Sequence, residues 1–411
     1  MSKNKLIVAG GGAAGFFAAI NAARLNPALE VMLVEKSQKL LAKVRISGGG
    51  RCNVTHACYD ERILAEKYPR GRKELRNSFH SFNAVHMVQW LAACGVALKT
   101  EADGRMFPES NSSETIINCF FTEAKKLNIA ITTGKGILSF TKNESGFLLH
   151  LSDNSIERCT CLLIATGGSP SLHAYDWIQR SSGHTFLPPV PSLFTFNIPQ
   201  FSLKGLEGLS VQNCKIKIAG FSFSEEGPLL ITHWGLSGPA VIRLSAWTAI
   251  ELHKKNYEAE IVINFLPHYH ETALAELFQK QRITNPQSPI HQKMFDELPY
   301  RLWERLIELA GIANDAKWGT VSKKHQQKLI QQLLQFTCLV KGKTTYKDEF
   351  VTCGGIDLKE VNMSTMESKL IPDLYFAGEV LNIDGITGGF NFQSAWTTAM
   401  LAARNISKKT S

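Results

Sequence analysis

Residues 8–15 of the chain read VAGGGAAG. Within them Gly10, Gly12 and Gly15 have the spacing G-x-G-x-x-G. The apolar run Leu6 to Gly10 reads as a buried strand. Ala13 to Leu25 reads as a helix rich in small residues, and EVMLVE at 30–35 reads as a second strand. Strand, glycine turn, helix and strand in so short a span predict a βαβ unit. Each glycine has its own reason. Gly10 permits the tight turn, Gly12 lets backbone approach a pyrophosphate, and Gly15 lets helix and strand pack closely. The helix start, at Ala13 and Ala14, then offers free N–H groups and a positive dipole to phosphate. Glu35 ends the second strand, where a carboxylate accepts hydrogen bonds from a ribose.

The remaining totals bound the answer. A chain of 411 residues exceeds what one core usually holds, so at least one further domain is expected. Lys and Arg outnumber Asp and Glu by 45 to 36, a formal charge of +9, which favours anionic partners. Nine cysteines, an odd number with no C-x-x-C spacing, argue against a disulfide scaffold or a four-cysteine zinc site. No metal site is expected, and a reducing, cytoplasmic location fits. The start MSKNKLIVAGGGAAGFFAAI imitates a signal peptide, but the glycines suit the dinucleotide turn better. No uncharged apolar run is long enough to span a bilayer.

Further along, helices are expected near Asn83–Ala93 and Ser113–Leu127, and a hairpin leads into a buried strand ending at Ala165–Gly168. Near Pro188 the proline-rich LPPVPSLFTFNIP marks a boundary. Residues 191–265 then look strand-rich and 266–337 helical. Short strands resume near Leu339 and Phe350, and LYFAGEV with a last helix, Gln393 to Ile406, restores α/β texture. The expected domains are 1–190 with 350–411 for the cofactor, 191–265 with 338–349 as a β-rich insertion, and 266–337 as a helical one.

Two segments, 162–168 and 374–404, favour FAD over NAD. LLIATGG (162–168) ends a buried strand in Ala165, Thr166 and Gly167, a second contact for a long ligand. Residues 374–404 give a strand, the turn Gly378-Glu379, the acidic Asp384 and a glycine loop, Gly388-Gly389. A helix follows, opening on Asn391, Phe392 and Gln393. The N-terminus of that helix suits the flavin pyrimidine edge, where its dipole stabilises negative charge on the reduced ring. Glu379 suits the ribityl chain. In SGGGRCN (47–53), Gly48, Gly49 and Gly50 admit the cofactor, while Arg51 and Asn53 address its pyrophosphate or carbonyls. Lys36 and Lys43 are either phosphate contacts or solvated charges.

Taken together, GGGAAG, SGGGRCNVT, GRMFPES, LLIATGG, THWGLSGPA, VTCGGI, TMESK and YFAGEVLNIDGITGGFNFQSAW resemble the BaiN-like flavoproteins, a group of NAD(P)/FAD-dependent oxidoreductases. The resemblance runs through nearly the whole chain. It implies an α/β fold: a Rossmann-like FAD-binding domain of the two-dinucleotide-binding-domain flavoprotein type, with inserted β-rich and helical domains. Asn382 departs from the family's Asp in this turn, and Asp384 matches. No second G-x-G-x-x-G is present, so NAD(P)H is expected as a transient reductant. The resemblance further implies two activities, reduction of a conjugated C=C in a steroid-like molecule and reduction of uridine to dihydrouridine in 23S rRNA. A flavin-bound, non-catalytic RNA-binding factor is a third reading.

Charge separates these readings. Residues 316–347 hold seven lysines, 317, 323, 324, 328, 341, 343 and 347, and no Asp or Glu. Residues 62–76 hold six Lys or Arg against two Glu. Phosphate neutralisation by such tracts favours 23S rRNA as partner, while solvated basic faces are the plain alternative. Candidate acids are Cys52, with thiolate character raised by Arg51, and Cys353. His233 fits either a cap on the flavin face or a hydrogen-bonded structural histidine. Trp234 beside it fits base stacking or core packing.

Overall fold

The computed structural model describes residues 4–345 and 351–411. Lys347 and Phe350, named above, lie outside the described residues. Two compact units emerge, Met1–Ser192 with Lys347–Ser411, and Leu193–Tyr346.

The first unit is built on a seven-stranded sheet. Its middle is parallel: β1 (Lys5–Ala9) lies between β2 (Glu30–Glu35) and the strand Cys161–Ile164. The strands Ala130–Thr133 and Leu374–Phe376 extend it in parallel on either side. Leu374–Phe376 comes from the far end of the chain, so the two termini build one sheet. β1 is apolar on both faces because both are covered, by helix and by the strand Ile156–Cys159 of a separate three-stranded sheet. One cover is α1 (Ala13–Leu25), buried from Ala14 to Ala23, and it packs on the C-terminal helix Phe390–Thr410. Phe17 and Trp396 meet there at 5.4 Å between ring centroids, and Trp396 donates its indole N–H to Val54 O. That bond ties the last helix to the segment following SGGGRC.

The second unit holds another seven-stranded sheet, in the order Phe336–Lys341, Glu258–Asn264, Ser210–Ile218, Ser224–Thr232, Gly235–Ser237, Thr195–Asn197, Lys343–Thr344. The helices Glu271–Thr284, Tyr300–Leu309 and Lys323–Leu334 lie within this same unit. The strand-rich reading of 191–265 needs one correction, the helix Pro239–Lys254. Gly238-Pro239 starts it, and Ala240, Val241, Leu244, Thr248 and Leu252 bury one face at helical spacing. The β-branched and aromatic residues in that run obscure the period. No helix among the described residues is long and apolar enough to cross a membrane.

Candidate functional site

The glycine turn after β1 is built as its spacing predicts, but its three glycines do different work. A Cβ on Gly10 (φ +117) would sit on the Ala165 carbonyl, and one on Gly15 would sit on Gly10 O. Both are required by the close packing of the protein on itself. A Cβ on Gly12 meets no protein atom within 4 Å. Gly12 caps α1, which has no side-chain cap and no acidic residue in its first turn. The N–H groups at Ala13 and Ala14 are left for an anion, as a dinucleotide pyrophosphate requires. Glu35 is already partly committed: its carboxylate accepts N–H from Gly11 at 2.8 Å and from Ser37 at 2.9 Å. It braces the glycine turn and keeps acceptor capacity for hydroxyls. Lys36, next to it, is exposed.

Two distant segments close on this turn. Ala165 and Thr166 touch Gly10 through their backbone, and a Cβ on Gly167 meets nothing. Gly378 (φ +77) lies against Ala14, leaving no room for a side chain there. Glu379 follows, ion-paired with Lys43 at 2.6 Å and accepting Thr352 N–H at 3.1 Å. The structure therefore joins Lys43, Gly167, Gly378 and Glu379 to the Gly10–Gly15 turn. Thr352 and Tyr175, whose hydroxyl donates to Gly167 O at 3.2 Å, belong to the same surroundings and were not anticipated.

SGGGRCN closes a helical segment, α2 (Ala42–Gly50). Gly48, Gly49 and Gly50 have φ of 58°, 69° and 82°, and only glycine takes three such positions in a row at low cost. Side chains at Gly49 and Gly50 would meet no protein atom. The Asn53 amide donates to Thr55 O and accepts from Gly389 N–H, both at 3.0 Å. Thus SGGGRCN and the Gly388-Gly389 loop are one structure, joined by Asn53. The C-terminal helix begins at Gly389 with no side-chain cap and no acid in its first turn, a second helix start left for negative charge.

Several of the expected site residues are held by partners within the protein. The Arg51 guanidinium pairs with Glu101 at 2.6 Å and lies 4.0 Å over the ring of Phe107 in GRMFPES, so both are its partners within the protein. Cys52 is fully buried, and burial pushes its thiol up to about 12, opposite to the thiolate expected beside Arg51. Burial likewise pushes Cys353 up to about 11, and its Sγ lies 3.4 Å from Val190 O. Asp384, also fully buried, binds Arg70 and Ser192. Burial raises its carboxyl, and both partners oppose that rise. Gln393 is buried with its amide on Thr55 (2.6 Å) and Thr397 (3.1 Å). Asn391 braces the loop by two bonds to Gly385, and Phe392 stacks on Trp396. Asn382 accepts Gly354 N–H at 3.1 Å, a backbone brace. His233 belongs to the second unit and is exposed in the turn between Ser224–Thr232 and Gly235–Ser237. No group of His, Cys, Asp and Glu among the described residues is arranged to hold a metal.

Comparison with known proteins adds kinship to this geometry. The family described as HI0933-like protein Rossmann domain matches residues 4–405. A protein of Escherichia coli (strain K12) named ribosomal RNA dihydrouridine synthase is 31% identical, the match covering 99% of this chain and 98% of that one. The 3-dehydro-bile acid delta(4,6)-reductase of Clostridium scindens is 26% identical, covering 98% of each. Among solved structures, 3-ketosteroid delta1-dehydrogenase from Sterolibacterium denitrificans has a TM-score of 0.53 at 12% identity, covering 99% of this chain and 100% of that one. At that identity the likeness is one of fold.

Proposed function

This chain belongs to the HI0933-like family, and on that premise we propose that it is an FAD-dependent oxidoreductase reducing uridine to dihydrouridine in 23S rRNA, with NAD(P)H as reductant. The observation that carries the substrate is the end-to-end kinship with the Escherichia coli protein. Kinship over the whole chain with enzymes makes this chain an enzyme, which removes the reading of a non-catalytic RNA-binding factor.

The residues fit the cofactor. Gly12 and the bare start of α1 suit the pyrophosphate, Glu35 the ribose, Glu379 with Lys43 the ribityl chain, and the start of the C-terminal helix the flavin pyrimidine edge. FAD bound there, once reduced by NAD(P)H, would supply a hydride to one carbon of a C=C conjugated to a carbonyl, and a proton would complete the neighbouring carbon. The protein must hold that C=C in line and stabilise negative charge at the carbonyl oxygen with N–H groups. A buried, neutral Cys52 serves packing in this reading. C52A should leave the reduction rate within about twofold, because removal of a general acid costs at least about a hundredfold. A loss of that size with FAD retained would restore the thiol as proton donor.

Gly12→Val tests the cofactor site at a position where a Cβ meets no protein atom within 4 Å. The variant should fold and lose flavin absorbance. Mass spectrometry of rRNA from a deletion strain tests the substrate. One dihydrouridine should vanish, return with the wild-type gene and fail to return with Gly12→Val. Unchanged dihydrouridine would defeat the rRNA reading. The Clostridium scindens relative supports a second reading, reduction of a small conjugated ketone. Reoxidation of the reduced flavin by an unsaturated ketosteroid, with no response to RNA, would favour it.

A further inference from the structure

Trp234 is 37% exposed, while Trp90, Trp303, Trp318 and Trp396 are all buried. It sits with His233 in the two-residue turn joining Ser224–Thr232 to Gly235–Ser237. Both ends of the residue are fixed. Its carbonyl accepts Ile198 N–H at 2.8 Å, and its indole N–H donates to Thr195 Oγ1 at 3.1 Å. The ring therefore lies along the strand Thr195–Asn197 with its one donor satisfied, and what it still offers is the π face.

The surroundings carry the argument further. Thr195 and Asn197 are two residues apart on one strand and so share a face. Thr344, paired across from Thr195, donates its hydroxyl to Asn197 Oδ1 at 2.9 Å. That bond fixes the amide and orients it. Among the described residues Asn197 Nδ2 has no acceptor, so the amide presents N–H groups beside an aromatic plane. On the other side, the loop carrying exposed Lys204 hydrogen-bonds to Ile231 through Gly208 and Leu209. Arg301 and Arg305 bind carbonyls of that loop. A fixed indole face and free amide donors suit an unpaired nucleobase and its carbonyl edge.

We propose that Trp234 is a stacking platform for an unpaired base of single-stranded RNA, with Asn197 addressing a carbonyl on that base. The inference rests on the RNA reading above and assigns a place to the recognition. Wild-type protein titrated with a short oligouridylate should show quenching of its exposed indole fluorescence, and the same strand in a duplex should not produce it. W234A should weaken single-strand binding about tenfold while leaving its salt dependence unchanged, because stacking releases no counterions. W234F, which keeps a ring, should bind between the two and lose the quenching. Equal binding by W234A and wild type, with no quenching, would overturn the stacking role and leave the RNA reading standing. Wild-type protein that binds no RNA would overturn both.

Discussion

The two basic tracts look alike in sequence and fare differently in the fold. In 62–76 two of the six cations are answered. Arg70 is bound to buried Asp384 and Arg72 pairs with Glu66, while half-buried Lys67 and exposed Arg62, Lys73 and Arg76 pair with no carboxylate among the described residues. In the second tract, Lys317, Lys323, Lys324, Lys328 and Lys341 are all exposed, and among the described residues neither they nor half-buried Lys343 pairs with a carboxylate. Lys323 and Lys324 even open the helix Lys323–Leu334, whose first turn has no acid. Cations at the positive end of a helix are unfavourably placed unless an anion joins them. Local charge density is therefore a poor guide to a binding surface, and charge left unneutralised by the fold is a better one.

The contrast can be broken most forcefully at Arg70. R70M leaves Asp384 buried without its partner and should cost about 3–5 kcal/mol in chemical denaturation. R70M/D384L should recover much of that loss, since an apolar pair removes the stranded charge. If R70M were as stable as wild type, Arg70 would be a surface cation after all. Next in size is K323E/K324E, which should weaken RNA binding about tenfold. It should also flatten the salt dependence by about one to two units of slope in filter binding, with unfolding unchanged. An unchanged slope would reduce the tract to a solvated face. Smallest is R76E, expected to lower RNA affinity less than about threefold, because nearby carboxylates already dilute this tract. An effect equal to that of K323E/K324E would erase the distinction between the tracts.

The site was legible to the extent that its signals are local. Gly10, Gly12 and Gly15 act within one turn, and the structure builds strand, turn and helix where the spacing calls for them. Gly48 to Gly50 were legible as a backbone feature for the same reason. Side chains whose partners are far away were not. Arg51 and Asp384 read as ligand contacts, yet Arg51 meets Glu101, and Asp384 meets Arg70 from 314 residues earlier. Cys52 reads as a thiol beside a cation, and burial from all sides decides its proton instead. Tyr175 carries no local signal, and Thr352 lies in VTCGGI without a signal of its own.

The sequence by itself determined the βαβ unit, the α/β class and the glycines that make room, because steric allowance at a turn depends on a few neighbouring residues. The tertiary structure alone decided which charges remain free, which carboxylates are braces and which aromatic rings are left uncovered. Burial and pairing are set by groups brought together from remote parts of the chain, and no short window of sequence contains both partners.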